Sequence, residues 1–186
     1  MQHLKAWRGI FFDDKEIILP DECVGAGGCW RNYGEPGIAR GWDAVQLHWI
    51  WSKLVEVNNP VFLDIGANTG NVALLASLIP TSKCIAFEPY EQTYNALKKA
   101  IELNVLGNQI TLEKLALSNK CGHETLLVPV GTETGMATIG SNNGTPTTAH
   151  IVDSMTLDAY LESHPIERLD LICMDVEGAE PLVIEG

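Results

Sequence analysis

The chain has 186 residues, 46% of them hydrophobic, and 24 acidic against 12 basic side chains give a net charge of -12. That is enough apolar material to build one packed domain, so a disordered chain is excluded as the default, while the acidic excess disfavours a nucleic-acid partner. No run approaches the ~20 apolar residues of a membrane span, and the N-terminus, with Lys5, Arg8, Asp13 and Asp14, lacks a signal-peptide core; a soluble cytoplasmic protein with no membrane partner is expected.

Residues 1–58 read as an N-terminal lead-in. Pro20, Gly25, Gly27, Gly28, Gly34, Pro36, Gly37 and Gly41 make its first part turn-dense, and a breaker-free stretch then predicts a helix at about 42–57. Trp30, Tyr33, Trp42, Trp49 and Trp51 gather there as core packing or as a stacking surface. Cys23, Cys29, Cys84, Cys121 and Cys173 are odd in number and scattered, which predicts free thiols rather than disulfides or a zinc site.

The second region spans residues 59–186. Pro60 stops the helix, and Val61 to Ile65 is a short apolar run of the kind a strand buried on both faces shows. A helix is predicted over 71–79, a strand over 83–87 and an amphipathic helix over 90–104, with Tyr94, Leu97, Ile101 and Val105 on one stripe and Gly107 as C-cap. A third strand is predicted over 110–117. The alternation implies right-handed crossovers and a parallel α/β sheet. A hairpin-like insertion follows, with strands over 123–130 and 150–154; then come a short helix over 156–163, capped by Thr156 or Ser154, and a fourth buried strand over 169–174.

Ligands of such sheets bind beyond the carboxyl ends of the strands. After the first of these strands the chain reads Asp64-Ile65-Gly66-Ala67-Asn68-Thr69-Gly70. Its glycines permit a tight turn and close backbone approach, but Asn68 stands where a pyrophosphate loop would carry its second glycine. This, with the absence of a Tyr-x-x-x-Lys motif, counts against a nicotinamide oxidoreductase. S-adenosylmethionine (SAM) has no phosphate and is cationic at sulfur, so an acid such as Asp64 beside the loop is favourable. Glu88, with Pro89 behind it, ends the second strand where a carboxylate can accept hydrogen bonds from both ribose hydroxyls, and Leu115 and Ala116 lie where an adenine edge would meet backbone groups. The expected cofactor set is therefore Asp64, Gly66, Ala67, Asn68, Thr69, Gly70, Glu88, Pro89, Leu115 and Ala116.

Asp175, Glu177 and Glu180 cluster at the end of the fourth strand and are the candidate catalytic carboxylates, Asp175 first. Each also suits a helix N-terminus with no proton transfer. No metal is expected, and His150 in the insertion, which could approach an acceptor, reads rather as a solvated or core histidine.

Val61 to Gly70, Ala86-Phe87-Glu88-Pro89, Ala116-Leu117-Ser118, Thr156-Leu157-Asp158 and Met174-Asp175-Val176-Glu177-Gly178-Ala179-Glu180 together resemble the ordered signature of the FkbM-type methyltransferases over about residues 59–186. The resemblance implies SAM-dependent O-methylation, commonly of a sugar or secondary-metabolite hydroxyl. It also implies a Rossmann-like class I methyltransferase three-layer sandwich with a mostly parallel sheet. That fold continues beyond a fourth strand, so the sequence is expected to lack the last strands, either as a fragment or with a partner chain covering the strand-four edge. A truncated SAM-binding module without turnover is the alternative.

Overall fold

The computed structural model describes residues 2–4, 17–20, 43–131, 134–140 and 144–186. Trp30, Tyr33, Trp42, Cys23, Cys29 and most of the turn-dense lead-in lie outside the described residues. A short antiparallel pair, β1 (Gln2–Leu4) and β2 (Ile17–Leu19), precedes helix α1 (Asp43–Val55). The central sheet contains β3 (Val61–Ile65), β4 (Lys83–Phe87), β5 (Ile110–Glu113) and β9 (Leu171–Met174), in the order β5-β4-β3-β9 and all parallel. Helices α2 (Asn71–Ala76) and α3 (Glu91–Leu103) form the crossovers between β3, β4 and β5.

Alternation along these strands builds three layers. Phe62, Cys84, Ala86 and Cys173 point to the side covered by α1, α2 and α3, where they share one core with Leu47, Leu54, Leu74 and Leu97. Ile17 and Leu19 of β2 join the same core. On the other face Leu63, Ile65 and Phe87 meet Tyr160 of α4 (Leu157–Ser163) and Val183 of α5 (Glu180–Glu185). Helices thus cover both faces of a parallel sheet, the Rossmann-like arrangement expected.

Several local expectations are corrected. The strand expected over 110–117 is two strands: β5 stops at Glu113, and β6 (Ala116–Leu117) enters a second sheet, of order β6-β8-β7, with β7 (Gly122–Pro129) and β8 (Thr147–Met155). β7 and β8 form the expected antiparallel hairpin. Helix α2 ends at Ala76, before the expected Ile79: the chain tightens into three-residue turns, Leu78 N donating to Leu75 O at 3.1 Å and Ile79 N to Ala76 O at 3.0 Å. Ser82 Oγ also donates to Ala76 O at 2.9 Å, while Gln109 Nε2 ties the exit by donating to Ser77 O at 3.1 Å and Ile79 O at 2.9 Å.

Helix α3 ends not at Gly107 but through Val105, whose φ is 56°. Leu106 N donates to Ile101 O at 2.9 Å and Val105 N to Glu102 O at 3.2 Å, the paired bonds of a left-handed helix end. Val105 is 86% exposed and so does not belong to the predicted apolar stripe. Asn104 is fixed by β2, accepting from Ile18 N at 2.8 Å and donating to Ile18 O at 2.7 Å. Thr156 is the cap of α4, its Oγ1 accepting from Ala159 N at 3.1 Å. The fourth sheet strand begins only at Leu171, since Asp170 is held across β3 by Val61 N at 2.9 Å; Ile172 is 43% exposed, so this strand is not buried on both faces.

Candidate functional site

At the carboxyl end of β3 the chain turns sharply. Gly66 N and Ala67 N both donate to Phe87 O at 3.0 Å, and Asp175 N donates to Ile65 O at 2.9 Å, so three strand ends are tied at one point. Gly66 has φ 85°, and a Cβ there would collide with the carbonyl oxygen of Asp175. Glycine is required both for its backbone conformation and for that close approach. Asn68 follows with φ 50°, and Gly70, with φ 93°, starts α2.

Asp64 lies one layer behind this loop rather than in it. It is buried, and Oδ2 accepts from Ala73 N at 3.1 Å, which anchors the first turn of α2. Burial pushes its carboxyl up to about 7, against the lowering effect of the Ala73 bond, with the charges of Glu88 and Asp175 adding to the rise.

Glu88 is also buried, and its carboxylate ties the loop to the next helix. Oε2 accepts from Asn68 N at 2.7 Å; Oε1 accepts from Tyr90 N at 2.9 Å and from the Thr93 hydroxyl at 2.8 Å. Burial raises its pKa, and these three bonds, Thr93 first, pull it back. Sequence reasoning gave Glu88 a ligand to bind but missed its role as a tie between loop and α3.

Gly66, Asn68, Glu88, Pro89, Leu115 and Ala116 all line one cleft of about 550 Å³, open mouth included, and Asp175 lines it from the β9 side. Asp64, Ala67, Thr69 and Gly70 do not line it; they shape the turn from behind. Among the carboxylates after β9, only Asp175 faces the cleft. Glu180 Oε1 accepts from Val176 N at 3.2 Å, and Glu177 holds a left-handed φ of 53° in the turn before α5. Burial, then Asp175 and Glu180, raises the pKa of Glu177.

The far wall was missed in the sequence. Leu126 of β7 and Gly135, Ala137 and Ile139 of the following segment close over the loop, and Leu127 and Thr138 exchange backbone hydrogen bonds that hold this segment to the hairpin. A Cβ at Gly135 would lie 3.1 Å from Asn68 Nδ2, so the wall packs directly on the loop. The only signal for it in the sequence is the apolar patch from Met136 to Ile139.

The described lining contains two charged side chains, Glu88 and Asp175, both acidic. Asn68 Oδ1 is buried with no hydrogen-bond partner. A buried oxygen without a donor is costly, so the cleft is complementary to a ligand carrying positive charge and N–H or O–H groups. The donor set of SAM, an ammonium and two ribose hydroxyls on a sulfonium nucleoside, fits it.

Residues 64–186, more than half of the chain, match the family model described as the methyltransferase FkbM domain. The chain belongs to the FkbM methyltransferase family. It is 27% identical over 157 residues to methyltransferase sdnD of Sordaria araneosa, covering 69% of this chain and 61% of that protein. This FkbM chain therefore spans about three-fifths of the length of that curated relative. Among solved structures it is similar to human methyltransferase 10 domain containing protein, at 22% identity over 39% of this chain and 35% of that one, with a TM-score of 0.34. The C-terminal domain of precorrin-6Y C5,15-methyltransferase from Rhodobacter capsulatus is similar at 18% identity over 38% of each chain, also with a TM-score of 0.34.

Proposed function

We propose that this chain binds SAM in the cleft between the β3 loop and the insertion and methylates a hydroxyl of a small-molecule acceptor, a sugar or a natural product. The observation that carries the reading is the pairing of a buried, unpartnered Asn68 Oδ1 with the Glu88 and Asp175 carboxylates on one acidic cleft. Bound SAM supplies a methyl group already activated on a sulfonium. Asn68 would take the ammonium or a hydroxyl, and Glu88 the ribose; Leu115 and Ala116 flank the base. Leu126, Gly135, Ala137 and Ile139 exclude water and hold the acceptor in line.

Asp175 is the base in this reading. It is the acid after β9 that faces the cleft, and at that position it would take the proton from the acceptor hydroxyl as the methyl group passes to oxygen with loss of its bond to sulfur. Glu177 and Glu180 support the turn that carries it. The acidic cleft favours an acceptor without phosphate and without nucleic-acid character. A cytoplasmic setting belongs to the same reading, because Cys84, Cys121 and Cys173 are free thiols.

Calorimetric titration with SAM, S-adenosylhomocysteine and NAD tests the binding step. SAM and S-adenosylhomocysteine are expected to bind, NAD is not, and Glu88→Ala is expected to lose at least about tenfold in SAM affinity; an unchanged affinity would sink the assignment. Asp175→Asn is expected to keep SAM binding while lowering methyl transfer about 10²-fold or more. SAM binding with no transfer to any hydroxyl panel by the parent chain would favour the non-catalytic alternative.

A further inference from the structure

An ionised carboxylate offers about four acceptor positions, two on each oxygen. Glu88 has three of them filled by its own chain: Oε1 holds Tyr90 N and the Thr93 hydroxyl, and Oε2 holds Asn68 N. One position remains, and it is on Oε2. The expectation that this acid grips both ribose hydroxyls requires two.

Oε1 is held away by a particular device. Thr93 is 1% exposed on the first turn of α3, and its hydroxyl lies 2.8 Å from Glu88 Oε1 and 3.0 Å from Tyr90 O. It has a single proton to give, and the shorter contact is to the charged acceptor. Tyr90 N, at 2.9 Å, completes a pair of donors on the same oxygen. Rotation of the carboxyl to present both oxygens to the cleft would break both bonds inside a buried site, where each lost partner is costly.

We propose that Thr93 is a positioning residue that pins Glu88 Oε1 inside the fold, so that Glu88 recognises the ribose of the cofactor through one hydroxyl only, taken by Oε2. The inference rests on the SAM reading above. It makes recognition of the nucleoside asymmetric: one of the two ribose hydroxyls contacts the acid, and the other is free for solvent or for a different group. It also gives Thr93 a second effect, because its bond is the largest of those keeping a buried Glu88 ionised.

The test is titration of the full chain with S-adenosylhomocysteine and with its 2′-deoxy and 3′-deoxy analogues, across pH 5 to 8, for the parent chain and for Thr93→Val and Thr93→Ser. One deoxy analogue is expected to bind about tenfold more weakly and the other within about threefold of the parent ligand. Two equal losses, or none, would overturn single-hydroxyl recognition. In Thr93→Val the affinity should begin to fall at a higher pH than in the parent chain as the pH is lowered, and Thr93→Ser should restore the parent profile. A parent-like pH profile in a folded Thr93→Val protein would overturn the positioning role. A change in melting temperature alone, with that profile unmoved, would do the same by reducing Thr93 to packing. Failure of the parent chain to bind S-adenosylhomocysteine at any pH would instead remove the SAM reading, and this inference with it.

Discussion

Asp64 is the residue whose role the structure changes most. At 3% exposure it faces the α2 backbone from behind the loop, and its pKa stands at about 7 in the fold against 3.8 for the free group. Between those values the folded state binds more protons than the unfolded state, so stability falls as pH rises through the window. The contribution is on the order of 4 kcal/mol across it. Asp64→Asn keeps an oxygen for Ala73 N and cannot ionise. Urea melts at pH 5 and pH 8 should therefore differ less in Asp64→Asn than in the parent chain, and an unchanged difference would mean that another group titrates. Because the charges of Glu88 and Asp175 add to the rise, a cation held between them would favour the ionised form of Asp64.

Among the elements, the end of α3 is where local preference yields to context. A β-branched residue in the left-handed region costs roughly 1–2 kcal/mol, and Val105 recovers nothing by packing because it is 86% exposed. Val105→Asn is expected to raise stability by about 1 kcal/mol, read as a rise of a few degrees in the thermal midpoint. The sequence hid this end because the glycine that normally marks it, Gly107, comes two residues late, while the actual stop is set by Asn104 bridging to Ile18 far earlier in the chain. The same contrast runs through the fold. The strands Val61–Ile65 and Lys83–Phe87 and the loop between β3 and α2 were legible, since continuous apolar runs bounded by Pro and Gly have few other solutions. The break at Lys114-Leu115 was not, because Ile110 to Leu117 has no breaker and only pairing with a distant strand divides it. In the candidate site the acids and glycines stood out by type. Gly135, Ala137 and Ile139 did not, as small and apolar side chains reveal a wall only once the chain is folded.

At the scale of the whole molecule, a net charge of -12 and an acidic cleft act in the same direction, drawing cations and repelling phosphates. The parallel pairing of β6 with β8 bears on how the cleft is assembled. Ala116 and Leu117 pair with Ser154 and Met155, and Ser118 N donates to Met155 O at 3.0 Å, so the chain leaves the methyltransferase body and returns to it at neighbouring points. Everything between is a cassette whose two ends already touch, the geometry in which exchange of a segment disturbs a host least. Replacing residues 119–153 with a short Gly-Ser turn should leave a cooperative melt and the far-ultraviolet dichroism of the central sheet, while the cleft loses its outer wall and SAM affinity drops. Under the proposed function the body would grip the donor and the cassette would meet the acceptor, so the two could diverge separately.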